Sequence, residues 1–170
     1  IYGPLYHQEK HVSISRFYPE GTIVSTGLSK WCGAGGWRLG AFAFPPQLSW
    51  LLEALSTLAS ESFTSTSAPI QWAAIRAFEG SEAIDSYLHQ GRRVLRALGR
   101  WTAGRLREAG ARVRDPRGAF YLYPVFGPLR EQLASRGIET AGELCRRALD
   151  EVGVAFLPGQ DFGAGDAALT

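Results

Sequence analysis

Between Gly21 and Trp37 the sequence carries a single charged side chain, Lys30. It follows the β-branched run Thr22-Ile23-Val24-Ser25-Thr26 and then Gly27-Leu28-Ser29, and it precedes a turn with Gly33, Gly35 and Gly36. An ammonium set alone among uncharged, buried neighbours loses hydration, so its pKa falls and the neutral amine comes within reach. A neutral lysine amine is the nucleophile that Schiff-base chemistry requires. Arg38 follows on the next strand-like run, where its forked guanidinium suits a phosphate held by two parallel hydrogen bonds. The intervening glycines let backbone N–H groups approach an anion closely. An amine for an aldehyde, with a guanidinium and N–H donors for a phosphate, describes a pyridoxal phosphate site.

These residues need a scaffold, and the sequence divides into three sections that could supply it. Residues 1–45 are rich in glycine, aromatics and β-branched residues, with strand-like runs at 22–26 and 37–42. Pro45-Pro46 closes that pattern and suits the first turn of a helix. Leu48, Leu51, Leu52, Leu55 and Leu58 then recur at helical spacing, predicting a helix over 47–60. The Ser62–Ser67 cluster and Pro69 break it before a second helical pattern from Ile70 to Phe78. Gly80-Ser81 marks a boundary, with Ser81 capping a long helix to about Ala109. Beyond it, 111–114 and 119–125 read as strands, 127–136 as a short helix and 154–157 as a last strand. Thr140 and Glu143 form a capping box for a helix to Val152. Helices alternating with short strands give an α/β or α+β class.

Other signals are weaker. His7 and His11 are four apart, but no Glu follows His7 as in a zinc-binding HExxH helix, so no metal site is expected. Gly33-Ala34-Gly35 opens like a dinucleotide fingerprint, but Arg38 stands where the third glycine belongs. Arg92, Arg93, Arg96, Arg100, Arg105 and Arg107 line one helix and read as a solvated polar face rather than a nucleic-acid surface. Cys32 reads as a small packed residue. Tyr121 and Tyr123 either point toward a substrate or alternate across a strand.

The stretch Gly27-Leu28-Ser29-Lys30-Trp31-Cys32-Gly33-Ala34-Gly35-Gly36-Trp37-Arg38-Leu39-Gly40 closely resembles the cofactor-attachment signature of the class I/II aminotransferases, the fold type I family typified by aspartate aminotransferase. Tyr2-Gly3 resembles the family's segment after the strand that holds the pyridine ring. Pro116–Pro124 resembles its small-domain strand, and Val154–Gly159 with Phe162-Gly163 the loop before its last substrate-binding strand. The resemblance implies that Lys30 forms the internal aldimine and shuttles a proton between the substrate's α-carbon and the cofactor. It implies that Arg38 binds the cofactor phosphate and that Tyr2 hydrogen-bonds the phenolic oxygen. Gly27 departs from the serine that many relatives carry, leaving Ser29 or backbone N–H groups to supply that phosphate contact. Residues 1–46 would be the end of the large cofactor domain, 47–80 connecting helices and 81–170 an incomplete small domain. The Ser/Thr stretch 64–67 resembles a segment near the family's dimer interface.

The expected activity is transfer of an amino group from an amino acid to a 2-oxo acid. A lyase of the same fold and a non-catalytic aminotransferase-like domain of a transcriptional regulator are the alternatives. By the family pattern, the aspartate that pairs with the pyridinium nitrogen belongs two residues before Ile1. The arginine that grips the substrate carboxylate belongs just past Thr170, and the ring-stacking aromatic further upstream. The chain is therefore expected to be the C-terminal part of a larger enzyme and not to transaminate alone. The absence of methionine and the closing stretch Ala167–Thr170 agree with that expectation. With 170 residues, 45% apolar, the chain is long enough to bury a core. Its net charge of +2 singles out no nucleic-acid or membrane partner, and no apolar run reaches a membrane span. Two distant cysteines make no disulfide framework, so a reducing, cytoplasmic compartment is expected, and the resemblance implies a homodimer of the intact protein.

Overall fold

A computed structural model describes residues 1–165 and 169–170; of the closing stretch, Ala167 and Ala168 lie outside the described residues. The chain forms two compact units. The first comprises 1–95 and 117–119, the second 96–116 and 120–170.

In the first unit, β1 (Val24–Gly27) and β2 (Gly40–Ala43) pair antiparallel, with Val24 opposite Ala43 and Gly27 opposite Gly40. Both strands are shorter than the sequence patterns predict, because the pattern registers apolar content while a ladder needs facing hydrogen bonds. A 12-residue stretch, 28–39, joins them and carries Lys30. The prolines act as expected: Pro46–Leu48 is a single 3-10 turn that leads into α1 (Ser49–Ser62). After the Ser/Thr break comes α2 (Ala68–Glu79), with Pro69 in its first turn. The long helix α3 (Glu82–Glu108) starts where Ser81 predicts, with Ser81 Oγ accepting the Ile84 N–H at 3.3 Å. The division between the units falls inside this helix.

The core of the first unit is Leu5, Leu28, Trp31, Leu39 and Ala74, with Tyr2, Cys32, Ile84, Leu88 and Leu95 packed against it. Cys32 is thus the packed residue that was expected. Residues 117–119 complete this unit. Gly118 bridges Tyr6, the His7 N–H reaches the Arg117 carbonyl at 2.9 Å, and the Ala119 N–H reaches Leu5 at 2.8 Å. The leucine stripe of α1 is real in spacing but uncovered: Leu52, Leu55 and Leu58 are all exposed.

The second unit departs further from expectation. The predicted strands at 111–114 and 119–125 reduce to one bridge between Arg112 and Val125, at 2.9 and 2.7 Å. No strand forms at 154–157. There the Gly153 and Val154 N–H groups turn back onto the Leu149 and Ala148 carbonyls, closing a helix instead of opening a ladder. That helix is α5 (Ala141–Val152), which begins with the predicted capping box. The short helix expected over 127–136 is a 3-10 turn at Gly127–Leu129 followed by α4 (Arg130–Ala134). Tyr121 and Tyr123 are exposed, and the Tyr123 hydroxyl donates to Thr170 Oγ1 at 3.3 Å. No helix among the described residues is long and apolar enough to cross a membrane.

Candidate active site

The Lys30 loop is fixed at its feet and crest by burial. Leu28 and Leu39 are buried where the loop leaves β1 and enters β2, and the Leu28 N–H donates to the Leu39 carbonyl at 3.4 Å. Trp31 is 6% exposed, its ring 6.1 Å from that of Phe78 on α2. Lys30, set between these anchors, is exposed. These residues alone therefore do not bury the ammonium. The uncharged neighbours do enter the core, but Leu28 and Trp31 are the ones directed inward, and Lys30 sits at the start of a turn closed by the Gly33 N–H on its own carbonyl at 3.3 Å. Gly33 takes φ of +66°, a conformation that strains any residue with a Cβ.

Lys30 Nζ stands 6.0 Å from the centroid of the Tyr2 ring. That distance is at the outer range of cation–π attraction. It brings together two sequence-selected residues 28 positions apart. Tyr2 is half-buried and packs on the core, which holds its ring. Ser29 is half-buried, and a Cβ placed on Gly35 would lie 3.5 Å from its carbonyl, so the glycine turn folds back over Ser29. Arg38 is exposed and left-handed at φ 54°. Its own N–H and its Nη1 both reach the Gly35 carbonyl, at 3.4 and 2.6 Å. A left-handed non-glycine residue costs roughly 1–2 kcal/mol, and these two bonds hold it there.

Gly27 has a structural reason. A Cβ here would approach the Leu39 carbonyl to 2.7 Å, so β1 and β2 would have to separate to admit serine. The strand pair leaves room for the loop at the expense of that hydroxyl.

The donors suit a phosphorylated aldehyde. From Gly21 to Leu52 the only charged residues are Lys30 and Arg38, both cations, with Ser29 and Tyr2 adding hydroxyls. No carboxylate in that span would repel a phosphate. Lys30 is also one of only two lysines, the other being Lys10. Arg92 stands apart from the solvated arginine face expected on its helix. It was grouped with five other helix arginines, yet it lies half-buried with its guanidinium 4.4 Å from the Tyr6 ring centroid. Nothing in helix periodicity distinguishes it, because its partners are far away in sequence.

The family model for aminotransferase class I and II matches residues 1–169. Among curated relatives, the aspartate aminotransferase of Geobacillus stearothermophilus is 34% identical over 170 residues, covering 98% of this chain and 41% of that protein. The aspartate/prephenate aminotransferase of Thermus thermophilus is 30% identical, covering 96% and 40%. Among solved structures, an aromatic aminotransferase from Pyrococcus horikoshii superposes with a TM-score of 0.81 at 30% identity, over 99% of this chain and 43% of that one. A Thermus thermophilus aspartate aminotransferase mutant gives 0.83 at 27%. The chain spans about two fifths of the length of these relatives.

Proposed function

This chain belongs to the class I and II aminotransferases and has their fold type I architecture, and we propose that it supplies the lysine half of the active site of a larger enzyme. That enzyme would move an amino group from an amino acid to a 2-oxo acid. The observation that carries the reading is the Lys30 amine standing over the Tyr2 ring in a stretch whose only charges are cationic. Pyridoxal phosphate, when bound, supplies the aldehyde and the electron-withdrawing ring on which such transfers depend.

Each residue has a role in this reading. Lys30 Nζ would hold the cofactor's aldehyde and, once released from it, would take up and return the proton that moves during the transfer. Its open position suits a nucleophile that must swing away from its first partner and act as a base. The Tyr2 hydroxyl, on the ring beside Nζ, would donate a hydrogen bond to the cofactor. Arg38 has five N–H donors, of which one bond holds Gly35, leaving others for phosphate oxygens. Ser29 adds a hydroxyl from the half-buried foot of the same loop. Residues 1–46 are assigned to the cofactor domain, 47–80 to connecting helices and 81–170 to the small domain. The uncovered α1 stripe is consistent with burial in the whole protein, proposed to be a cytoplasmic homodimer.

Borohydride reduction of the full-length protein loaded with pyridoxal phosphate, followed by peptide mapping, tests the site. Label is expected on Lys30; label on Lys10, or on a lysine elsewhere in the full-length protein, would refute the assignment. Lys30→Ala should abolish turnover. Amino-acid addition should change the cofactor's absorbance and a 2-oxo acid should restore it. No such cycle with any amino acid would defeat the aminotransferase reading in favour of a lyase or a non-catalytic domain.

A further inference from the structure

Arg92 does not share the environment of the exposed arginines on α3. Arg93 beside it is exposed and bonds Gln90 Oε1 at 3.0 Å, one turn away on the same helix. Arg92 instead reaches out of the helix: its Nη1 donates to the Pro4 carbonyl at 3.4 Å while its guanidinium faces the Tyr6 ring at 4.4 Å. Pro4 lies in the 3-10 turn Gly3–Leu5, which starts at Tyr2 and closes with the Leu5 N–H on the Tyr2 carbonyl at 2.8 Å. Tyr2 in turn is the residue facing Lys30 Nζ. Arg92 is four residues from Leu88, and Ile84, Leu88 and Leu95 pack this helix onto the core, so its starting point is fixed. The same helix also abuts the far side of the site. The Tyr87 hydroxyl lies 3.0 Å from where a Cβ on Gly33 would stand, against the turn that Lys30 begins.

We propose that Arg92 is a positioning residue for Tyr2, acting through Pro4 and Tyr6 to set the height of the phenol beside Lys30. The proposal rests on the assignment of Lys30 and Tyr2 to the cofactor site. Arginine suits the task because one planar group can stack on a ring and donate in its own plane at once, which a lysine ammonium cannot do. Without it the Tyr2 turn keeps its internal bond and its apolar packing but loses its hydrogen bond to α3, and the phenol would no longer meet its acceptor at a fixed distance. The effect is therefore on the protonation equilibrium that Tyr2 controls.

The test is a pH titration of cofactor absorbance in the full-length protein loaded with pyridoxal phosphate. It compares the native protein with Tyr2→Phe, Arg92→Leu, Arg92→Lys and the double variant Tyr2→Phe/Arg92→Leu. Arg92→Leu should move the midpoint in the same direction as Tyr2→Phe, by about 0.5 pH unit or more. Arg92→Lys should recover less than half of that shift. The double variant should match Tyr2→Phe alone, since the arginine has nothing left to position. An unshifted midpoint in Arg92→Leu, or shifts that add in the double variant, overturns the proposal. If Arg92→Leu does not fold, the same cycle is read on Arg92→Gln. Borohydride labelling in parallel separates the two claims: no label on Lys30 in the native protein defeats the site assignment, whereas intact label with an unmoved midpoint defeats only the role of Arg92.

Discussion

The Lys30 loop is held by side chains that leave it for the core, Leu28, Trp31 and Leu39, whereas helix α5 is started by two side chains bonded within its own first turn. In α5, Thr140 Oγ1 accepts the Glu143 N–H at 3.2 Å and Glu143 Oε2 accepts the Thr140 N–H at 3.0 Å. The loop depends on α2, on the facing strand and on one left-handed glycine. A locally coded element tolerates change around it and loses one bond at a time. A loop shaped by distant packing transmits damage directly to the lysine it carries.

The largest effect expected from this contrast is that of Trp31→Ala. Emptying the space against Phe78 should cost about 3–5 kcal/mol. It should appear as a lower denaturant midpoint in the full-length protein and as weaker borohydride labelling of Lys30. Unchanged labelling would show that the loop keeps its shape without its core anchor. Next comes Gly27→Ser. Here the added Cβ meets the Leu39 carbonyl, and overpacking of this kind costs roughly 1–3 kcal/mol. Cofactor titration decides the outcome: tighter binding, with no loss in melting temperature, would mean that the strands yield to the hydroxyl.

The smallest effects belong to α5. Thr140→Ala should cost about 1 kcal/mol and leave the Lys30 label untouched. The backbone N–H groups of Glu139 and Thr140 hold the Glu143 carboxyl below its ordinary pKa. Because the folded value is the lower one, Glu143 contributes stability above the unfolded value of about 4.3 and loses it as pH falls through the folded value. Thermal melts between pH 7 and pH 3 should therefore fall more steeply in the native protein than in Glu143→Gln. Parallel curves would remove the capping box from the account.

The same contrast explains what the sequence made legible. Ser81, Thr140 and Glu143 announce their helices because the atoms they bond are three residues away. The stretch that resembles the family's cofactor-attachment signature is contiguous, so Lys30, Ser29 and Arg38 could be proposed from it directly. The strands expected at 111–114, 119–125 and 154–157 could not be checked locally, since a strand exists only with its neighbour. Uncharged neighbours surround Lys30 in sequence, but composition does not say which residue of a run points into this chain's own core; Leu28 and Trp31 do. Arg92 was hidden for the same reason: its hydrogen-bond acceptor is 88 residues away.

Residues 117–119 give the first unit a consequence for its birth. Their edge joins Leu5–His7, and the Arg117–Glu9 ion pair, 108 residues apart in sequence, lies beside it. During synthesis the segment that positions Tyr2 is among the first parts of this stretch to leave the ribosome, yet it has no partner for its edge until residue 119 follows. For that interval the Tyr2 turn rests on the core through Leu5 and on α3 through Arg92, with its outer edge unpaired. Closing so long a loop adds its entropic cost late, after the helix has formed. A nascent chain halted anywhere before 117 would carry the complete lysine signature with its tyrosine still unsecured on one side.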